Sequence, residues 1–136
     1  MSDTGRRGLF ITFEGVEGCG KSTQARTLED RIRELGIPVV RTREPGGTPL
    51  GERLRDILLD RGETGMTAEA ELFLYLASRS EHVARVIVPA MDRGDIVIAD
   101  RFGDASVAYQ GGGRRLGVEL VLSLNQVATR GVKPDV

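Results

Sequence analysis

The stretch that most limits what this chain can fold into is GVEGCGKST, Gly15 to Thr23, directly after the apolar run LFITFE. Gly15-Val16-Glu17-Gly18-Cys19-Gly20-Lys21-Ser22 matches G-x-x-x-x-G-K-[ST] at every fixed position. The glycines let the backbone curl until its N–H groups converge on phosphate oxygens. The loop must then open a helix, whose N-terminal dipole favours the anion. Lys21 can reach the β- and γ-phosphates of a bound nucleotide, and the Ser22 hydroxyl can ligate Mg²⁺. Thr23 completes the phosphate-facing turn, and Cys19 reads as a small tolerated residue rather than a reactive thiol. The motif points to a nucleoside triphosphate. It does not choose among ATPase, GTPase and kinase.

Periodicity supplies the surrounding elements. Leu9 to Glu14 is a short apolar strand. From Lys21 to Leu35 the apolar positions Ala25, Leu28, Ile32 and Leu35 recur at helical spacing, and Gly36 stops the helix. Val39-Val40 is a second strand and TREPGGT a loop. Pro49 to Leu59 is helical, with Leu50, Leu54, Ile57 and Leu58 on one face. Thr67 caps a long helix reaching about Met91, with Pro89 placed to kink it. Arg93-Gly94-Asp95 turns into the strand DIVIAD. A short helix over 104–110, a glycine-rich turn and a helix over 117–130 follow, and Lys133 to Val136 begins one more strand. Strands alternating with helices imply a parallel sheet covered on both faces, in a single domain spanning 1–136.

The bulk numbers agree with that class. The chain has 136 residues, 40% apolar and 29% charged, enough for one domain with a real core. A net charge of −1 gives no sign of a broad surface for nucleic acid or membrane. One cysteine cannot form an internal disulfide, and no Cys/His cluster suggests structural zinc. The N-terminal apolar run is too short for a secretion signal or a membrane span, so a cytoplasmic protein is expected.

In an open parallel sheet, ligands bind beyond the carboxyl ends of the strands. Glu17 follows the first strand, Arg43-Glu44 the second and Asp100-Arg101 the third. Two guanidiniums there suit a second phosphate, which they can hold in a bidentate fork. That favours transfer between two phosphates over plain hydrolysis. Asp100-Arg101-Phe102-Gly103 also fits the short GTPase pattern D-x-x-G, but no N-K-x-D guanine-reading motif accompanies it. The single histidine, His82, falls on the long helix and reads as a solvated or packed residue, not a catalyst. Tyr75 and Arg79, four apart, share a helix face, as a core aromatic beside a surface arginine would.

Taken together, FITFEGVEGCGKSTQ, TREPGGT, YLASRSEH, IADRFGDAS and VAYQGGGR resemble bacterial thymidylate kinase (dTMP kinase), in that order and at similar spacings. The resemblance runs from about Gly8 to Val136. It implies a nucleoside monophosphate kinase fold of the P-loop NTPase type, a three-layer α/β/α sandwich on a parallel sheet. It implies transfer of the γ-phosphate of ATP to dTMP with Mg²⁺, giving dTDP for dTTP synthesis, in a homodimer. On the acceptor side, Glu17 matches the acidic loop position near the sugar hydroxyl and the metal. Arg101 matches the clamp on the monophosphate, with Asp100 orienting it or the water shell of the metal. Arg43 and Glu44 match the loop lining the monophosphate site, and Arg55 an arginine facing the pocket. Tyr75 matches an aromatic, more commonly Phe, that stacks on thymine, and Arg79 the arginine that bonds O4 of the base. Ser106, Tyr109 and Gln110 match a segment touching base and sugar. Lys21, Arg101 and Glu17 are thus the catalytic candidates.

The same resemblance implies that the chain corresponds to about the N-terminal two-thirds of the family domain, with the last strands and an arginine-bearing lid lying later. Relatives with glycine at position 18 draw their transition-state arginines from that lid. The expectation is a weakly active chain. The alternative is a non-catalytic nucleotide-binding fragment of a thymidylate kinase.

Overall fold

The computed structural model describes residues 7–14, 20–60, 65–102 and 117–136. Three parallel strands, β1 (Leu9–Phe13), β2 (Val39–Arg43) and β3 (Ile96–Asp100), form one sheet in the order β1-β3-β2. Each crossover carries helix: α1 (Lys21–Glu34) between β1 and β2, then α2 (Pro49–Leu59), α3 (Ala68–His82) and α4 (Val88–Asp92) between β2 and β3. Helix α5 (Val118–Thr129) follows. The second strand is longer than the sequence suggests and takes in Thr42 and Arg43.

The pleat explains the layers, because successive side chains of a strand point to opposite faces. Val97 and Ala99 join Phe10, Val83, Ile87, Ala90, Met91 and Phe102 in a buried cluster on one face. Ile98 joins Ala25, Ile32 and Val39 under α1 on the other. Phe10 and Phe102 meet edge to face, centroids 4.9 Å apart. A third cluster, Leu72, Leu76, Val121 and Ala128, joins α3 to α5. The expected α/β/α sandwich is therefore observed.

Two apolar stripes differ from expectation. Leu35 is 74% exposed because it caps α1, its N–H bonding back to Ile32 as the chain turns away. On α2 the buried stripe is Gly51, Leu54 and the half-buried Leu58, leaving Leu50 and Ile57 exposed. Gly51 is pressed onto the preceding turn: a Cβ there would lie 2.6 Å from the Gly46 carbonyl oxygen. That contact sets the face of α2 that turns inward.

The long helix starts as its capping residue requires, with Thr67 Oγ1 accepting from the Ala70 N–H. It does not run evenly to Met91. Residues Val83–Ile87 form a widened π turn, in which the Val88 N–H reaches the Val83 carbonyl. Pro89 has no N–H to donate and crowds the preceding turn, so the helix loosens before it. Past α5, the Asp135 N–H bonds the Phe10 carbonyl and Thr12 N–H bonds the Val136 carbonyl, placing the last residues beside β1 as the strand expectation requires. The expected helix over 104–110 lies outside the described residues.

Phe10 is fully buried at the centre of the first cluster, so Phe10→Ala should lower the unfolding free energy by about 3–5 kcal/mol. Leu35→Ala should change it by less than about 0.5 kcal/mol. Denaturant titration of both variants checks the ranking.

Candidate active site

Parallel register brings three strand ends level, since Phe13 pairs with Asp100 and Arg43 pairs with Asp100 from the other side. The residues that follow, Glu14, Arg101 and Glu44, therefore leave the sheet along one edge. At this edge Gly20 takes a left-handed φ of 86° and caps α1. Lys21, Ser22 and Thr23 form the first turn, whose N–H groups have no partner within the helix. No acidic side chain stands in that turn to compete for an anion. Gly15, Val16, Glu17, Gly18 and Cys19 lie outside the described residues, as do Ser106, Tyr109 and Gln110.

The turn after β2 is built almost entirely by side chains on other elements. The Glu44 N–H bonds the Asp100 carbonyl, tying the turn to β3, and the Glu44–Pro45 peptide is cis. Ser78 Oγ accepts from the Gly46 N–H and Glu52 Oε2 from the Gly47 N–H. Glu52 Oε1 pairs with Arg43 Nη2 at 2.9 Å. Arg55 Nη1 donates to the Pro45 carbonyl. Thr48 Oγ1 caps α2 through the Gly51 N–H. Gly47 has φ 86°, and a Cβ there would lie 2.6 Å from His82 Cδ2, so only glycine fits.

Beneath this turn lies a buried ionic cluster. Glu44 is 4% exposed and uses both carboxylate oxygens. Oε1 accepts from Arg79 Nε at 2.8 Å and Oε2 lies 2.7 Å from His82 Nδ1. His82 Nε2 is 2.7 Å from Thr42 Oγ1. Arg79 also donates to Asn125 Oδ1 and to the Phe102 carbonyl, and its guanidinium sits 5.2 Å over the Phe102 ring. Arg79 is thus a buried residue, not the surface arginine that its helix position suggests. His82 is fully buried, in line with a packed reading.

The turn after β3 has its own support. The Arg101 N–H bonds the Phe13 carbonyl, and Glu14 Oε2 accepts from the Phe102 N–H at 2.8 Å. Between them Arg101 is held at φ 76°, rare for a residue with a side chain. Asp100 lines a cavity of about 740 Å³ with Arg41, Thr42, Arg43, Thr48 and Glu52. A second cavity of about 590 Å³ is bounded by Glu14, Phe102 and Asn125, among others.

The structure thus gathers Arg43, Glu44, Asp100 and Arg101 at one edge, with Arg55 against the same turn. Tyr75 is half-buried one helical turn before Arg79. Pattern reading missed Glu14, Thr42, Glu52, Ser78 and Asn125. Glu14 had a signal, as the residue between β1 and the glycine-rich stretch that begins at Gly15. Ser78 had one too, four residues before His82 and so on the same face of α3. Asn125 had none.

Comparison with known proteins gives one answer. The thymidylate kinase family model matches residues 13–136. A thymidylate kinase of Geobacter sp. (strain M21) is 54% identical over 127 residues, covering 93% of this chain and 56% of the relative. One from Pseudomonas putida (strain GB-1) is 55% identical over 128 residues, covering 94% and 61%. The crystal structure of thymidylate kinase from Ehrlichia chaffeensis superposes with a TM-score of 0.89 at 41% identity, covering 96% of this chain and 74% of that one. The chain therefore spans somewhat under two-thirds of the length of the two sequence relatives.

The Gly47 N–H, and then Arg43, hold the Glu52 carboxyl below its ordinary value of 4.5. A depressed folded value means that the stability it contributes is complete above 4.5 and lost as pH falls through the lower folded value. Glu52→Gln should lower the melting temperature at neutral pH and flatten its decline below pH 4.5. Thermal melts across an acid series measure both.

Proposed function

The chain belongs to the thymidylate kinase family, and on that premise we propose that the whole protein phosphorylates dTMP to dTDP with ATP and Mg²⁺. In this reading the protein is a cytoplasmic homodimer supplying dTTP synthesis, and residues 1–136 belong to one kinase domain. Among the described residues, no helix is long and apolar enough to cross a membrane. The observation that carries the reading is the level alignment of Arg43, Asp100 and the end of β1, beside the first turn of α1.

An oxygen of the dTMP phosphate attacks the γ-phosphorus of ATP, and the bond to the ADP oxygen breaks as the new P–O bond forms. Such a transfer needs positioning and charge neutralisation more than a covalent nucleophile. The N–H groups of the first turn of α1, with Lys21 and the loop from Gly15, would hold the donor phosphates. Arg101 would clamp the monophosphate from the β3 side and Arg43 from the β2 side, so that the two phosphates meet between strand ends. The rigid turn built by Glu44, Ser78 and Glu52 keeps Arg43 and Arg55 in place. Glu17 would accept a hydrogen bond from the sugar hydroxyl. Tyr75, Arg79, Ser106, Tyr109 and Gln110 would read the base.

Mg²⁺ takes oxygen ligands and keeps several waters, so one carboxylate and one hydroxyl suffice beside the phosphates. Asp100, on the cavity wall, and Ser22, in the first turn of α1, are residues of that kind. When bound, the ion would supply neutralisation of the negative charge that the donor phosphates carry during transfer.

Calorimetric titration of the chain with dTMP, dCMP and Mg²⁺–ATP tests the reading, with dTMP binding expected and dCMP rejected. Arg79→Lys keeps a cation beside Glu44 but loses the planar fork. It should weaken dTMP about tenfold and leave ATP unchanged. Equal loss for both nucleotides would refute the base-reading role.

A further inference from the structure

We propose that His82 is a positioning residue, which fixes the guanidinium of Arg79 by locking the carboxylate of Glu44 and thereby sets the choice of nucleobase. The inference rests on the base-reading role of Arg79 proposed above.

Glu44 is the group through which His82 would act on Arg79. One bond, from Arg79 Nε to Oε1, would leave the carboxylate plane free to turn, because the terminal torsion of Glu has a broad minimum. The second bond, between Oε2 and His82 Nδ1 at 2.7 Å, removes that freedom. The ring is itself oriented at its far nitrogen by Thr42 Oγ1, also at 2.7 Å. Thr42 and Glu44 are two apart along an extended chain and so share a face. Arg79 and His82 are three apart on α3 and so are neighbours. The result is a two-by-two clamp between the end of β2 and one face of α3. Gly47 closes over it, leaving no room for a side chain against the ring. All of Glu44, Arg79 and His82 are nearly or fully buried, so each geometric error would pass to the next group instead of being absorbed by water.

Packing alone would also bury a histidine, and two substitutions separate the roles. His82→Asn keeps an N–H donor near the Nδ1 position but leaves space unfilled. His82→Leu fills the space and has no donor. Two readouts on the full chain are followed: the NMR resonance of the Arg79 Nε–H without nucleotide, and the dTMP-over-dCMP preference by calorimetry. Positioning predicts that His82→Leu shifts the resonance and cuts the preference about tenfold, while His82→Asn restores most of both. ATP binding should not change. Thr42→Val, which frees the ring at one end only, should give a smaller loss in the same direction and carries the test if His82→Leu fails to fold. The opposite ranking, with Leu near native and Asn poorer, would overturn the proposal in favour of packing. An Arg79 resonance indifferent to both His82→Leu and Thr42→Val would overturn the positioning while leaving the base-reading role standing. A native chain that binds dTMP and dCMP alike would overturn the base-reading role, and the present one with it.

Discussion

Much of this structure depends on one buried carboxylate. Glu44 stands where β2 ends, and its two oxygens are divided between Arg79 and His82 on α3. Charges taken out of water are tolerated only when their partners are well placed, and deleting one partner of such a pair costs about 3–5 kcal/mol. The cluster therefore fixes how α3 approaches the sheet. Through Asn125 and the Phe102 carbonyl it extends to α5 and to the turn after β3. Four parts of the chain, far apart in sequence, share this one set of contacts.

The sheet does a different job. Its parallel register puts Phe13, Asp100 and Arg43 at one level, so the polar residues that follow them leave along a common edge. Helices on both faces bury the middle of β3 together with Phe10 of β1 and Val39 of β2, which favours chemistry at the strand ends. Helix α1 starts there and the glycine turn after β2 is braced there. The family membership and the likeness to a solved thymidylate kinase agree with this arrangement.

Local signals made most elements legible in the sequence. Thr67 and Pro49 mark helix starts through capping and ring geometry, and Arg93-Gly94-Asp95 marks the turn into β3. Strand-end reasoning likewise found Arg43, Glu44, Asp100 and Arg101. Periodicity failed where the partner of a face decides burial. Leu50 and Ile57 repeat with Leu54, yet α2 turns Gly51 and Leu54 inward because the glycine turn lies there. Pro89 announced a disturbance, but its form, a widened turn over Val83–Ile87, depends on how the backbone redistributes its bonds. The buried cluster was not legible at all as a cluster. Glu44 and Arg79 are 35 positions apart, and Arg79 and Asn125 are 46 apart. No local pattern reports such pairings, so His82 could be read as packed but not as paired.

The backbone of Arg101 sets folding against chemistry at a single position. At φ 76° a residue with a Cβ is disfavoured by roughly 1–2 kcal/mol, a penalty that glycine escapes. Exchange for glycine would relax the chain and remove the guanidinium in one step. On the clamp role proposed for Arg101, a selection scored on protein abundance would weigh the backbone and the side-chain contacts, and one scored on phosphate transfer the guanidinium, so the two would rank the same substitution differently.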